Sequence, residues 1–144
     1  MSTGLQAALI SVVAAVGSMV VWCVHGPPQR LAPDEVELAT VLNDWQGEVL
    51  WVDARKRAEW EKNGVAGSVL VTLDAAEDFD ALVEAAFPRL AESQRVVIYC
   101  GDPGCGSSRE VAARLRALDF GAQYFALHGG WGVLAAAGMV SGSR

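Results

Sequence analysis

The sequence predicts an α/β domain with a mostly parallel central sheet flanked by helices, preceded by one N-terminal transmembrane helix. Three observations carry this. Strand-like and helix-like segments alternate from residue 30 onward, the pattern of a parallel sheet with helical crossovers. The strand-like segments are nearly unbroken apolar runs, as in strands covered on both faces. Ahead of them, residues 5–24 hold no charged side chain in twenty positions, enough to cross a bilayer.

Residues 1–29 are therefore assigned as a single membrane anchor and a short spacer, and residues 30–144 as the folded domain. A cleaved signal peptide is the competing reading. It is opposed by the absence of lysine or arginine before the run, by the run's length, and by the lack of a small-x-small site after it. Trp22 fits the interfacial aromatic belt, and Cys23 beside it is read as a membrane-buried thiol without function. The flanks give no orientation: Arg30 is followed by Asp34, Glu35 and Glu37, so the side carrying the domain is left open. His25-Gly26-Pro27-Pro28 breaks the helix and stiffens the spacer.

Within the domain, Pro33-Asp34-Glu35 reads as the first turn of a helix that runs to positions 43–46, with acids placed for its dipole. An apolar strand over 49–54 ends in Asp53-Ala54, and a short polar helix follows over 56–62. Next come a strand over 68–73 and a helical region over 78–91 interrupted by Pro88. A strand over 95–100, a helix over 109–118, a strand over 123–127 and a short helix opened by Gly129-Gly130 complete the chain.

The chain has 144 residues and a net charge of −6, with no cluster of lysine or arginine. The length suits one core after the anchor, and the charge excludes nucleic acid as a partner. Cys23, Cys100 and Cys105 are too few for a disulfide framework. A single Cys-x4-Cys, with His25 and His128 remote in sequence, does not make a structural zinc site. No metal or cofactor is expected.

The segment with chemistry in it is Val96-Val97-Ile98-Tyr99-Cys100, followed by Gly101, Asp102, Pro103, Gly104, Cys105, Gly106, Ser107 and Ser108. A cysteine leaving a strand on a glycine-rich loop at a helix N-terminus sits where backbone N–H groups and the helix dipole favour an anion. Such a place brings a thiol pKa from about 8.5 to roughly 3.5–7.5, and the thiolate is the competent nucleophile. Glycines 101, 104 and 106 suit a nest of N–H groups, with Ser107 or Ser108 as the helix N-cap. The alternative is a buried strand cysteine beside an ordinary turn.

Three segments together resemble the rhodanese domain family, across residues 31–139. Asp53-Ala54-Arg55 with Glu59-Trp60-Glu61 and Val65-Ala66-Gly67-Ser68 is similar to the family's first signature. Val97-Ile98-Tyr99-Cys100 with Ser108 and Val111-Ala112-Ala113-Arg114-Leu115 resembles the active loop and its helix. Leu127-His128-Gly129-Gly130-Trp131 with Ala137-Gly138-Met139 resembles the closing elements. The chain departs from the pattern at Asn63-Gly64, where Gly-His is usual, and at Leu134, where tryptophan is usual. Its loop carries two extra residues between Cys100 and Ser108, and Ser107 stands where an arginine is expected. Asp102 in the loop opposes a dianion.

The resemblance implies sulfur transfer: the Cys100 thiolate takes the outer sulfur of a donor such as thiosulfate or a protein persulfide, becomes a persulfide, and passes the sulfur to a thiol or other thiophilic acceptor. Splitting the transfer in two is covalent catalysis, with loop N–H groups holding the charge. Arg109 and His128 are candidate substrate contacts, Asp53 and Arg55 supporting residues, and Trp131 a pocket wall. Cys105 is either a resolving partner in a dithiol switch, which needs Cα atoms within about 7 Å, or a bystander. The competing function is a catalytically silent binding or redox-sensing module using Cys100 and Cys105. Phosphatase chemistry on a related fold needs Cys-x5-Arg, and position 106 is glycine.

Overall fold

The computed structural model describes residues 30–101, 104 and 106–140. The expected membrane anchor and Cys23 lie outside them, and among the described residues no helix is long and apolar enough to cross a membrane. A compact unit begins at Leu31. Its elements are β1 (Glu35–Val36), α1 (Leu38–Asn43), β2 (Leu50–Asp53), α2 (Arg57–Asn63), β3 (Val69–Leu70), α3 (Phe79–Glu92), β4 (Arg95–Tyr99), α4 (Ser107–Leu118), β5 (Gln123–Leu127) and α5 (Gly130–Ala136).

The five strands form one sheet in the order β1-β5-β4-β2-β3, and every pairing is parallel. β2 and β4 are central, with Leu50 opposite Val96 and Asp53 opposite Tyr99. Their side chains alternate between two apolar layers. Leu50, Val52, Val96, Ile98 and Cys100 pack with Val83, Leu90, Val111 and Leu115 of α3 and α4. Trp51, Val97 and Tyr99 pack with Val41 of α1, Val65 and Leu134 of α5. This two-sided burial is why β2 and β4 read as unbroken apolar runs.

Two expectations are corrected. Pro33-Asp34-Glu35 does not open a helix: Glu35–Val36 is an edge strand beside Ala126 and Leu127, and α1 starts only after Glu37. Two residues of strand carry no readable periodicity, and tertiary pairing with β5 decides their conformation. Pro88 does not interrupt α3, which is continuous from Phe79 to Glu92. The proline forfeits one backbone bond. The helix is held by Leu82, Val83, Ala86 and Leu90, buried at helical spacing, and by Asp78, whose carboxylate accepts from the N–H groups of Asp80 and Ala81.

Candidate functional site

The chain leaves β2 toward β3 on one side and leaves β4 toward β5 on the other. The connections from these two neighbouring strands thus diverge beyond their C-terminal ends, the topological switch point where open parallel sheets bind ligands. A cavity of about 730 Å³ lies there, within the range of small-molecule sites. Ala54 and Arg55 from the end of β2 and Cys100 and Gly101 from the end of β4 line it, with Ser107 of α4 and Trp131 of α5.

Cys100 is 3% exposed; it packs in the apolar layer with α3 and α4 and lines the cavity. Its carbonyl accepts the Trp131 backbone N–H at 2.7 Å, which ties the start of α5 to the C-terminal end of β4. Ser107 lies at the cavity and Ser108 is buried behind it. The N-cap of α4 is Gly106 (φ −71°, ψ −15°) and not either serine, and no side chain caps the helix. Gly106 thus supplies no side-chain acceptor to the first turn of α4, where backbone N–H groups and the helix dipole favour an anion. Gly106 has an ordinary right-handed backbone and open space where a Cβ would stand; no left-handed nest geometry requires a glycine there. Gly104 is exposed. Asp102, Pro103 and Cys105 lie outside the described residues.

Arg55 is the organiser. Its guanidinium donates to both carboxylate oxygens of Asp53, with the shortest bond 2.7 Å, to Asn63 Oδ1 at 3.0 Å and to the Glu59 carbonyl at 3.4 Å. It also lies 5.2 Å from the ring centre of Trp131 and 5.6 Å from that of Tyr99. Burial pulls its pKa down, but the hydrogen bonds and charge of Asp53 outweigh this and leave it raised. Arg55 thus joins the end of β2, the end of α2, β4 and α5. Trp131 Nε1 donates to the Asn63 carbonyl at 3.1 Å and closes the same ring of contacts. Asp53 and Arg55, expected from the sequence as supporting residues, stand at the end of β2, with Arg55 lining the cavity and Asp53 paired to it.

Arg109 and His128 do not line the cavity. Arg109 pairs with Glu35 at 3.0 Å, and His128 Nδ1 lies 3.9 Å from the same carboxylate, so both serve the β1 edge. The cavity's other polar lining was not singled out in the sequence: Lys56 just before α2, Glu59, Lys62 and Asn63 on it, with Thr72 and Asp74 after β3. For the helical residues the signal was present, because positions 59, 62 and 63 fall on one helical face. Among the described residues no group of three His, Cys, Asp or Glu side chains is placed to hold a metal.

A thiol at the switch point of a parallel sheet, beside a polar cavity and a helix N-terminus, belongs to an α/β domain whose site lies at the C-terminal edge of its sheet. The chain belongs to the rhodanese-like domain family, whose description matches residues 37–137. Among solved structures it is similar to the BH2092 protein of Bacillus halodurans (18% identity, 76% of this chain and 77% of that one, TM-score 0.58). It is also similar to a thiosulfate sulfurtransferase of Pseudomonas aeruginosa (25% identity, 81% of this chain, TM-score 0.56), of which it spans only 21%. A Saccharomyces cerevisiae protein described as a homologue of single-domain rhodanese and of the Cdc25 phosphatase catalytic domain shares the fold (17% identity, 74% of this chain and 85% of that one, TM-score 0.55). No curated protein matches the chain.

Proposed function

We propose that this domain is a sulfurtransferase working through a persulfide on Cys100. The carrying observation is that Cys100, almost wholly buried, meets the cavity at the switch point beside Ser107 at the start of α4. With thiosulfate as donor, the Cys100 thiolate attacks the outer sulfur, the S–S bond to the sulfite group breaks, and sulfite leaves with the bonding pair. The terminal sulfur of the persulfide then carries the negative charge, which the first-turn N–H groups of α4 stabilise. An acceptor thiolate attacks that terminal sulfur and regenerates the Cys100 thiolate, so no external electron is needed. The uncharged run over 5–24 supports a single-pass anchor holding the domain at a membrane.

The test is intact-mass spectrometry of the full chain, taken from the membrane fraction in detergent and treated with thiosulfate. A gain of one sulfur that cyanide removes, absent in Cys100→Ser, is the expected result. Persistence of the gain in Cys100→Ser overturns the assigned nucleophile, and recovery of a shortened chain in the soluble fraction overturns the anchor. The silent redox module is favoured instead if the only change is loss of two hydrogens.

A further inference from the structure

The family's usual loop arginine is absent here, its place taken by Ser107, so the charge that meets an anionic substrate must come from elsewhere. Three cations line the Cys100 cavity: Arg55, Lys56 and Lys62. Arg55 is committed to Asp53, Asn63 and the Glu59 carbonyl. Lys56 and Lys62 have no ion pair among the described residues, and both are exposed toward solvent. The cavity's two carboxylates are already engaged by backbone donors. Glu59 accepts from the Lys56 N–H at 3.3 Å, and Asp74 from the Ala76 N–H at 3.0 Å.

We infer that Lys56 and Lys62 form the anion-recognition subsite of this cavity, binding the negatively charged group of the sulfur donor from the α2 wall and not from the active loop. This rests on the sulfurtransferase reading for the identity of the ligand, but the subsite itself is a property of the cavity. The α2 wall is fixed at both ends. Arg57 grips Glu77 through two bonds of 2.7 and 2.8 Å, and Asn63 receives both Arg55 and Trp131. The two ammonium groups are thus carried on a wall held in place, while their flexible stems let them follow the ligand. A cavity of 730 Å³ is in the range that holds an organic ligand, so the subsite serves an anionic organic persulfide as well as thiosulfate.

The test compares alkylation of Cys100 by anionic iodoacetate with that by neutral iodoacetamide in the full chain, with peptide mapping to exclude Cys23 and Cys105. In Lys56→Gln/Lys62→Gln the iodoacetate-to-iodoacetamide rate ratio is expected to fall about three- to tenfold, the size for two partly solvated charges. Lys62→Glu is expected to fall further, and the difference to shrink at ~1 M salt, where screening acts within about 3 Å. An unchanged ratio overturns the subsite, as does an equal fall in both rates, which would report a collapsed wall. Thiosulfate loading separates the two readings: a charge-dependent ratio without any sulfur gain from thiosulfate or an organic persulfide sinks sulfur transfer and leaves the anion subsite standing.

Discussion

Asp53 is fully buried and Arg55 nearly so, and their 2.7 Å ion pair lies between the sheet and the cavity floor. A buried pair of this kind contributes little net stability over a well-packed apolar one, but removing one partner strands a charge, at a cost of about 3–5 kcal/mol. Asp53→Ala is therefore expected to lower the urea midpoint by that equivalent with an unchanged slope. Asp53→Ala/Arg55→Met is expected to recover part of the loss. If the double variant is less stable than Asp53→Ala, the guanidinium's bonds to Asn63 and its stacking on Trp131 outweigh the stranded charge. Arg55 spans four elements through such contacts, so one position sets both the floor of the cavity and the direction of its α2 wall.

The turn from β5 into α5 shows how one element delivers another to the site. Gly129 has φ +83°, and a Cβ there would stand 2.5 Å from Val133 Cγ1, so both backbone and space demand glycine. That turn aims the Trp131 N–H at the Cys100 carbonyl. Gly129→Ala is expected to cost ~1–3 kcal/mol and to change Cys100 alkylation rates. Gly132→Ala, inside the same helix with open space around it, is expected to be neutral or stabilising by up to about 1 kcal/mol. Equal behaviour of the two variants would remove the turn from the site's geometry. Gly129-Gly130 was readable as a helix opener because glycine pairs punctuate sequence. The long apolar and amphipathic elements β2, β4, α4 and β5 were readable for the same local reasons. β1 was not, since its two residues become a strand only through β5. The positions of Asp53 and Arg55 at the end of β2 and of Cys100 at the end of β4 were visible in order along the chain. The removal of Arg109 and His128 to Glu35, and the placing of the exposed Lys56 and Lys62 along the cavity, depend on which helix faces which strand end. No local pattern encodes that.

Across the molecule, burial of the central strands links β4 to a pH limit. Tyr99, adjacent to Cys100, has no exposed surface, and its hydroxyl accepts the Val65 N–H at 3.0 Å. Burial first, and then the negative charge of Asp53, raise its pKa above the ordinary 10.0. Ionisation is therefore harder in the folded than in the unfolded chain. The stability tied to Tyr99 is fully present below about pH 10 and is lost as pH rises through and beyond that value, by at most ~1.4 kcal/mol per pH unit for one proton. Tyr124, also raised and first by burial, adds in the same direction. Tyr99→Phe removes the titration but leaves the buried Val65 N–H without its acceptor, at about 1–3 kcal/mol. The variant is thus expected to be less stable than wild type at pH 7, with a shallower fall above pH 10, in urea unfolding followed by tryptophan fluorescence. Parallel curves for the two proteins through pH 11 would place the alkaline limit elsewhere. Converging curves would show that the strand leading to Cys100 also sets how far the domain survives into alkali.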